Sequence, residues 1–147
     1  MELRVKRFCE LTTEELYHIL KLRVDVFVVE QNCPYAELDD LDQNAIHVWL
    51  EDGGSIAAYL RVMDRGAESE YVSLGRLIAA KRRCGLGTRI LQEGIRVAHE
   101  EFGADAVYLE AQTYARELYA KQGFQTVSDE FLMDGIPHIK MLLKLPD

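Results

Sequence analysis

In the stretch "LIAAKRRCGLGTRI", Leu77 to Ile90, an apolar run enters a patch of cations, meets Gly85 and Gly87, and leaves with helical periodicity. Lys81, Arg82, Arg83 and Arg89 gather there in a chain of formal net charge −8. A local charge that opposes the global one points to an anionic ligand. The first backbone N–H groups of a helix lack partners, and the helix dipole favours negative charge beside them. Glycines in such a turn let a pyrophosphate approach the backbone, and neighbouring arginines add charge-assisted hydrogen bonds. The ordinary alternative is an exposed helix start with solvated basic residues. Two rival phosphate motifs fail on spacing. A Walker loop needs a lysine before its Ser or Thr, whereas Gly87 directly precedes Thr88. A dinucleotide fingerprint needs three glycines after the first strand, and here only Gly85 and Gly87 are present, after the fourth.

Other chemistry is sparse. Cys9, Cys33 and Cys84 fit neither a zinc site nor a disulfide framework, so reduced thiols are expected. Cys84 sits inside the basic turn, in the kind of field that makes a thiol reactive. Glu37, Asp39, Asp40 and Asp42 crowd one segment without the alternate spacing and glycine of a calcium loop. They read as a negative field for a cationic ligand or as a solvated loop, and no metal site is expected.

These residues need a frame to hold them. At 147 residues with 48% hydrophobic content, the chain is expected to form one domain over residues 1–147 with a real core. No repeat or linker divides it. "LRVKRF" reads as a first strand, Leu3 to Phe8. Thr12 and Glu15 stand at capping-box spacing, and Leu16, Ile19, Leu20 and Phe27 continue a helical stripe. "NCPYAELDDLDQNA" reads as a loop or broken helix. "IHVWLED" and "SIAAYLRVMD" are strands joined at Gly53-Gly54, and "EYVSLGRLIAA" is a fourth strand. A helix runs from Leu86 to Phe102 and stops at Gly103; "AVYLEAQ" is a fifth strand. "YARELYAKQGF" is a short helix closed by Gly123, and two strands around Asp134-Gly135 end the chain. His47 and Trp49 read as packing. The order β-α-β-β-β-α-β-α-β-β is mixed α/β.

The same composition excludes some partners. The negative balance and the lack of aromatics among the basic residues argue against nucleic acid. "MELRVKRFCE" has no apolar leader core, and no apolar run approaches membrane-spanning length. A cytoplasmic protein with no membrane partner is expected.

Arg82-x-x-Gly85-x-Gly87 between an apolar strand and a helix resembles the acyl-CoA motif of the GNAT N-acetyltransferases. Gln112, Tyr119 and Gly123-Phe124 resemble that family's second signature, with glutamine where most members have asparagine. The strand order matches over nearly the whole chain. "VFVVEQNCPY" (Val26 to Tyr35) and "DGIPHI" (Asp134 to Ile139) are similar to the ElaA-type branch.

The resemblance implies the GNAT fold: a mixed, mostly antiparallel twisted sheet flanked by helices and splayed between strands four and five. It implies acetyl-CoA as cosubstrate. The backbone from Arg83 through Cys84, Gly85, Leu86 and Gly87 to Thr88 would cradle the pyrophosphate, with Arg82 at its edge. Pantetheine would pair with Leu77, Ile78 and Ala79 and bond Gln112, with an oxyanion donor near Ile78. Tyr119 would protonate the leaving thiolate. Phe27, Glu30, Gln31, Tyr35 and His138 would meet an amine acceptor, although a structural role is the ordinary one for such an imidazole. The base stays open between Glu30, preferred on the substrate side, and Glu110, and a water chain can replace either. The activity implied is N-acetylation of a primary amine by direct attack in a ternary complex, with no covalent enzyme intermediate. A non-catalytic acyl-CoA-binding or regulatory module is the alternative. The acceptor and the oligomeric state, including a homodimer, are not readable.

Overall fold

The cap at Thr12 forms as its spacing predicts. Glu15 N–H donates to Thr12 Oγ1 at 3.0 Å, and Thr12 N–H donates to Glu15 Oε1 at 2.9 Å. In the computed structural model, which describes residues 1–80 and 85–146, this box starts α1 (Thr13–Val24), after β1 (Glu2–Arg7). The helix does not end at Val24. It continues as a wider π-type segment, Asp25–Glu30, in which Gln31 N–H reaches back to Val26 O at 3.3 Å. Such widened turns recur at functional sites.

β2 (Ile46–Asp52) and β3 (Ser55–Met63) form the expected hairpin. Gly53 and Gly54 take φ of +57° and +86°, the left-handed pair that a tight two-residue turn requires. β4 (Val72–Ala79) follows, antiparallel to β3. Tyr59 faces Ile78 and Arg61 faces Gly75, so β4 carries one residue more than β3 between those points. This bulge puts Arg76 at φ +58°, a conformation that costs a non-glycine residue about 1–2 kcal/mol.

α2 (Leu86–Phe102) buries Leu86, Ile90, Leu91, Val97 and Ala98 against one face of the sheet and ends at Gly103, φ +60°. At Gly94 the helix touches the sheet. A Cβ there would stand 2.7 Å from Leu60 Cδ2 and 2.9 Å from Cδ1, and Leu60 is fully buried. Gly94→Ala is therefore expected to destabilise the protein, because overpacking costs about 1–3 kcal/mol and better helix propensity returns no more than about 1. Thermal unfolding checks this. A raised midpoint would mean that α2 lifts off Leu60 freely.

β5 (Ala106–Gln112) leads through a 3-10 turn into a helix shorter than expected, α3 (Arg116–Ala120). Gly123, φ +100°, and the buried Phe124 close it. The chain then forms three strands rather than the two expected: β6 (Gln125–Thr126), β7 (Phe131–Met133) and β8 (Ile136–Lys144). The first two are separate because the Ser128 hydroxyl takes the Lys140 N–H at 2.9 Å, which interrupts the ladder. The sheet order is β1-β2-β3-β4-β5-β8-β6, with β7 also on β8, and every pairing is antiparallel except β4–β5. No described helix is long and apolar enough to cross a membrane.

Candidate active site

The parallel pair β4–β5 is joined only at Val72–Val107 and Ser73–Tyr108. Beyond Ser73 the two strands part, the bulge lying in the departing stretch of β4, and a cavity of about 940 Å³ opens between them. The ladder to β3 decides which backbone groups face it. Ala80 N–H donates to Ala57 O at 2.8 Å, and Ile78 faces Tyr59. Alternate residues of an antiparallel strand bond to the same neighbour, so Ile78 is spent on β3 while Leu77 and Ala79 turn their N–H and C=O groups to the gap. An extended acyl-CoA arm fits that unpaired edge. The free donors beside the expected oxyanion position are those of Leu77 and Ala79.

The cavity runs to the start of α2, where Gly85, Leu86, Gly87 and Thr88 line it. Gly85 takes φ +72°, and no side chain among the described residues caps the helix. This leaves a full-length helix with its first N–H groups uncapped beside the cavity, the arrangement that holds a phosphate. A Cβ on Gly87 would meet Leu118 at 3.6 Å, so alanine fits there and a larger side chain would press on the wall. Arg82, Arg83 and Cys84, which the resemblance places at the pyrophosphate, lie outside the described residues, as does Lys81.

On the α2 side of the sheet, Tyr119 lines the same cavity. Its ring packs edge-on against Phe124, with centroids 6.1 Å apart. Its hydroxyl has no hydrogen-bond partner among the described residues, and burial pushes its pKa up to about 12. It remains a proton donor at any working pH.

The opposite face receives the residues expected to meet an acceptor. Phe27, Glu30 and Gln31 come from the π-type segment and its end, and Tyr35 from the loop after it; all line the cavity. Gln112 shares a face of β5 with Tyr108 and Glu110, away from α2. Its amide donates to Gln31 Oε1 at 3.4 Å. Glu30 is exposed at the rim. Glu110 accepts the Tyr108 hydroxyl at 2.7 Å. His138, buried on β8, faces Gln112 in register.

The acidic loop is neither a solvated segment nor a free negative field. Glu37 and Asp42 are buried, and with Asp39 they pair with three arginines the sequence reading did not single out. Arg23 Nε donates to Glu37 Oε2 at 2.7 Å and its Nη1 to Asp42 Oδ1 at 2.6 Å. Arg61 joins Asp42 to Asp39. Arg76, from the bulge, donates Nε to the same Glu37 Oε2 at 2.7 Å, and its guanidinium lies 5.7 Å from the Tyr35 ring centre and 6.0 Å from that of Phe27. The Tyr35 hydroxyl donates to Glu37 as well. His47 belongs to this layer: Nε2–H donates to Asp42 O at 3.0 Å, and Nδ1 accepts the Tyr59 hydroxyl at 2.7 Å.

One further acid enters the site. Glu68, in the loop before β4, lines the cavity. Burial raises its pKa, and Glu110 adds to the rise against the pull of Arg61. With Arg76 neutralised by Glu37 and Asp39, this side of the wall is acidic through Glu30, Glu68, Glu110 and Asp134.

The same architecture occurs in solved structures. An acyl-CoA N-acyltransferase from Pseudomonas aeruginosa is 36% identical, with a TM-score of 0.91 over 97% of this chain and 99% of its own. Escherichia coli ElaA is 32% identical, also with a TM-score of 0.91 over 97% and 99%. A UPF0039 protein of Schizosaccharomyces pombe is 36% identical over 99% of this chain and 98% of its own length. The acetyltransferase (GNAT) domain model matches residues 12–145, and the chain belongs to that family.

Proposed function

We propose that the protein transfers an acetyl group from acetyl-CoA to a primary amine by direct attack in a ternary complex. The observation that carries this reading is the parting of β4 and β5. It sets the unpaired backbone of Leu77 and Ala79, the uncapped start of α2 and the Tyr119 hydroxyl around one cavity. The α2 side of the gap suits the cosubstrate, because backbone N–H groups there can hold phosphate and an oxyanion. The acidic opposite side suits a cationic acceptor. The amine attacks the thioester carbonyl, the oxyanion is held by β4 N–H groups, and the departing sulfur is met by Tyr119.

The test is thiol release from acetyl-CoA across a panel of amines, with calorimetry of ligand binding. Free CoA is expected to bind at least tenfold more tightly than pantetheine, a difference of about 1.4 kcal/mol, and its affinity should weaken as salt rises. Equal binding of the two at every salt concentration would place the anion site elsewhere. CoA binding with no thiol release on any amine would leave a binding module.

A further inference from the structure

We propose that His138 is the general base of the reaction, taking the proton of the acceptor amine on Nε2. The assignment rests on the acetyl-transfer reading above.

The imidazole is held in one tautomer. Its Nδ1 lies 2.7 Å from the Ile136 carbonyl oxygen, two residues away on the same strand. A carbonyl oxygen only accepts, so Nδ1 carries the hydrogen and the lone pair of the neutral ring sits on Nε2. The Phe131 ring fixes the plane, with centroids 6.1 Å apart and 30° between the rings. His138 is 8% exposed and lines the cavity. Nε2 has no partner among the described residues, and it is not among the sealed, unsatisfied atoms. A buried imidazole whose one free polar atom is a lone pair in the acceptor cavity is built to receive a proton.

Its place in the sheet puts that lone pair on the acceptor side. His138 faces Gln112 across the β5–β8 ladder, and directly opposed residues share a face. Tyr108 and Glu110 point the same way, beside the gap in which the thioester arm is placed. The hairpin behind it is tied down, since the Cys33 thiol donates to Asp134 O at 3.4 Å.

The rival bases are less well placed. Glu30 is exposed, and Glu110 is engaged by Tyr108. The charged groups that share the cavity with His138 are Asp134 in its own turn, Glu110 on β5, Glu68 and Arg76 on the β4 side, and Glu30 on the π-type segment, with Lys140 above the Phe131 ring. The acids among them draw in an ammonium. The ammonium gives its first proton to Nε2, and from there to solvent. The neutral amine attacks the carbonyl carbon and the C–S bond breaks. The attacking nitrogen then loses a second proton, and the thiolate, hydrogen-bonded by Tyr119, takes one up, so one proton is released per turnover.

The test uses thiol release from acetyl-CoA with n-butylamine, 1,4-diaminobutane, phenethylamine and a lysine tripeptide, taking the best of these forward. His138→Asn keeps the donor to Ile136 O and removes the lone pair, while His138→Gln places an amide near Nε2. Both are expected to lose roughly 10²–10⁴-fold in kcat/KM. CoA affinity should hold, and kcat should fall far more than KM changes. Rates within about twofold of wild type in a folded variant would overturn the assignment. So would nitrogen NMR of the wild type showing the proton on Nε2 of neutral His138. If wild type turns over none of the amines, the acetyl-transfer reading itself falls and the base falls with it.

Discussion

Replacing Tyr119 by Phe is expected to lower kcat by roughly 10²–10⁴-fold while acetyl-CoA affinity and fold survive, the loss typical of a missing proton donor. The substitution removes one hydroxyl and almost no volume. That hydroxyl has no described partner to lose, and the ring contact with Phe124 remains. Because burial holds its pKa at about 12, well above the roughly 8.5 of a free thiol, outright transfer to the sulfur is uphill. The group is better matched to a hydrogen bond that strengthens as negative charge grows on the leaving thiolate. Such an interaction exists mainly in the transition state, so KM should move little. A purely structural tyrosine predicts normal turnover and a small change in stability. Steady-state kinetics on the best amine, with calorimetry of CoA, separate the two. A kcat within about twofold of wild type would remove Tyr119 from the chemistry, since a proton donor is worth at least about 10².

Where a local rule governs, the sequence was readable. The Thr12–Glu15 box, the Gly53-Gly54 turn, and α2 with its stop at Gly103 each depend on a few neighbouring residues, and each formed as read. The bulge at Gly75–Arg76 was not readable, because an arginine at positive φ is imposed by partners distant in sequence, here Glu37 and Asp39. The split between β6 and β7 depends on one serine hydroxyl meeting Lys140 N–H. Glu68 lies in a short polar loop that gives no sign of turning inward. The ion network did leave a signal. Arg61 interrupts the apolar run "SIAAYLRVMD", and Arg23 stands four residues past Ile19 on the inward stripe of α1. A cation at a position whose periodicity demands burial needs an acid, and the crowded Glu37–Asp42 segment is where the acids are.

Arg23→Met is expected to cost about 3–5 kcal/mol, because removing one member of a buried ion pair strands the others. Arg23 is fully buried and donates to Glu37 and Asp42, which Arg76 and Arg61 share. Three guanidinium groups hold Glu37, Asp39 and Asp42, with Glu68 3.9 Å from Arg61, so removing Arg23 leaves excess negative charge in the interior. Against a typical total of about 5–15 kcal/mol, the loss brings the protein near unfolding at ordinary temperature. Urea denaturation at pH 7 measures it, and a loss under about 1 kcal/mol would show that the cluster is hydrated. The same layer sets the acid limit of the fold. Burial would raise the Asp39 pKa, but the hydrogen bonds and charge of Arg61 outweigh it and hold it at about 2, below its usual 3.8. Asp42 is lowered by Arg23 and Arg61 against its own burial. A depressed carboxylate stabilises the fold above its unfolded pKa, so this contribution is lost as pH falls from about 4 towards 2. His47, whose pKa burial lowers from 6.5, acts earlier: the unfolded chain takes a proton that the buried ring refuses, so stability declines as pH drops below about 6.5. Through Glu37 the stability and the site are coupled. The carboxylate that neutralises Arg23 also anchors Arg76, and Arg76 holds the bulge in the stretch of β4 that has left β5. Arg23→Met is therefore expected to weaken CoA binding as well as stability, although Arg23 lines no part of the cavity. An unchanged CoA affinity in the folded variant would mean that Asp39 alone keeps the bulge in place.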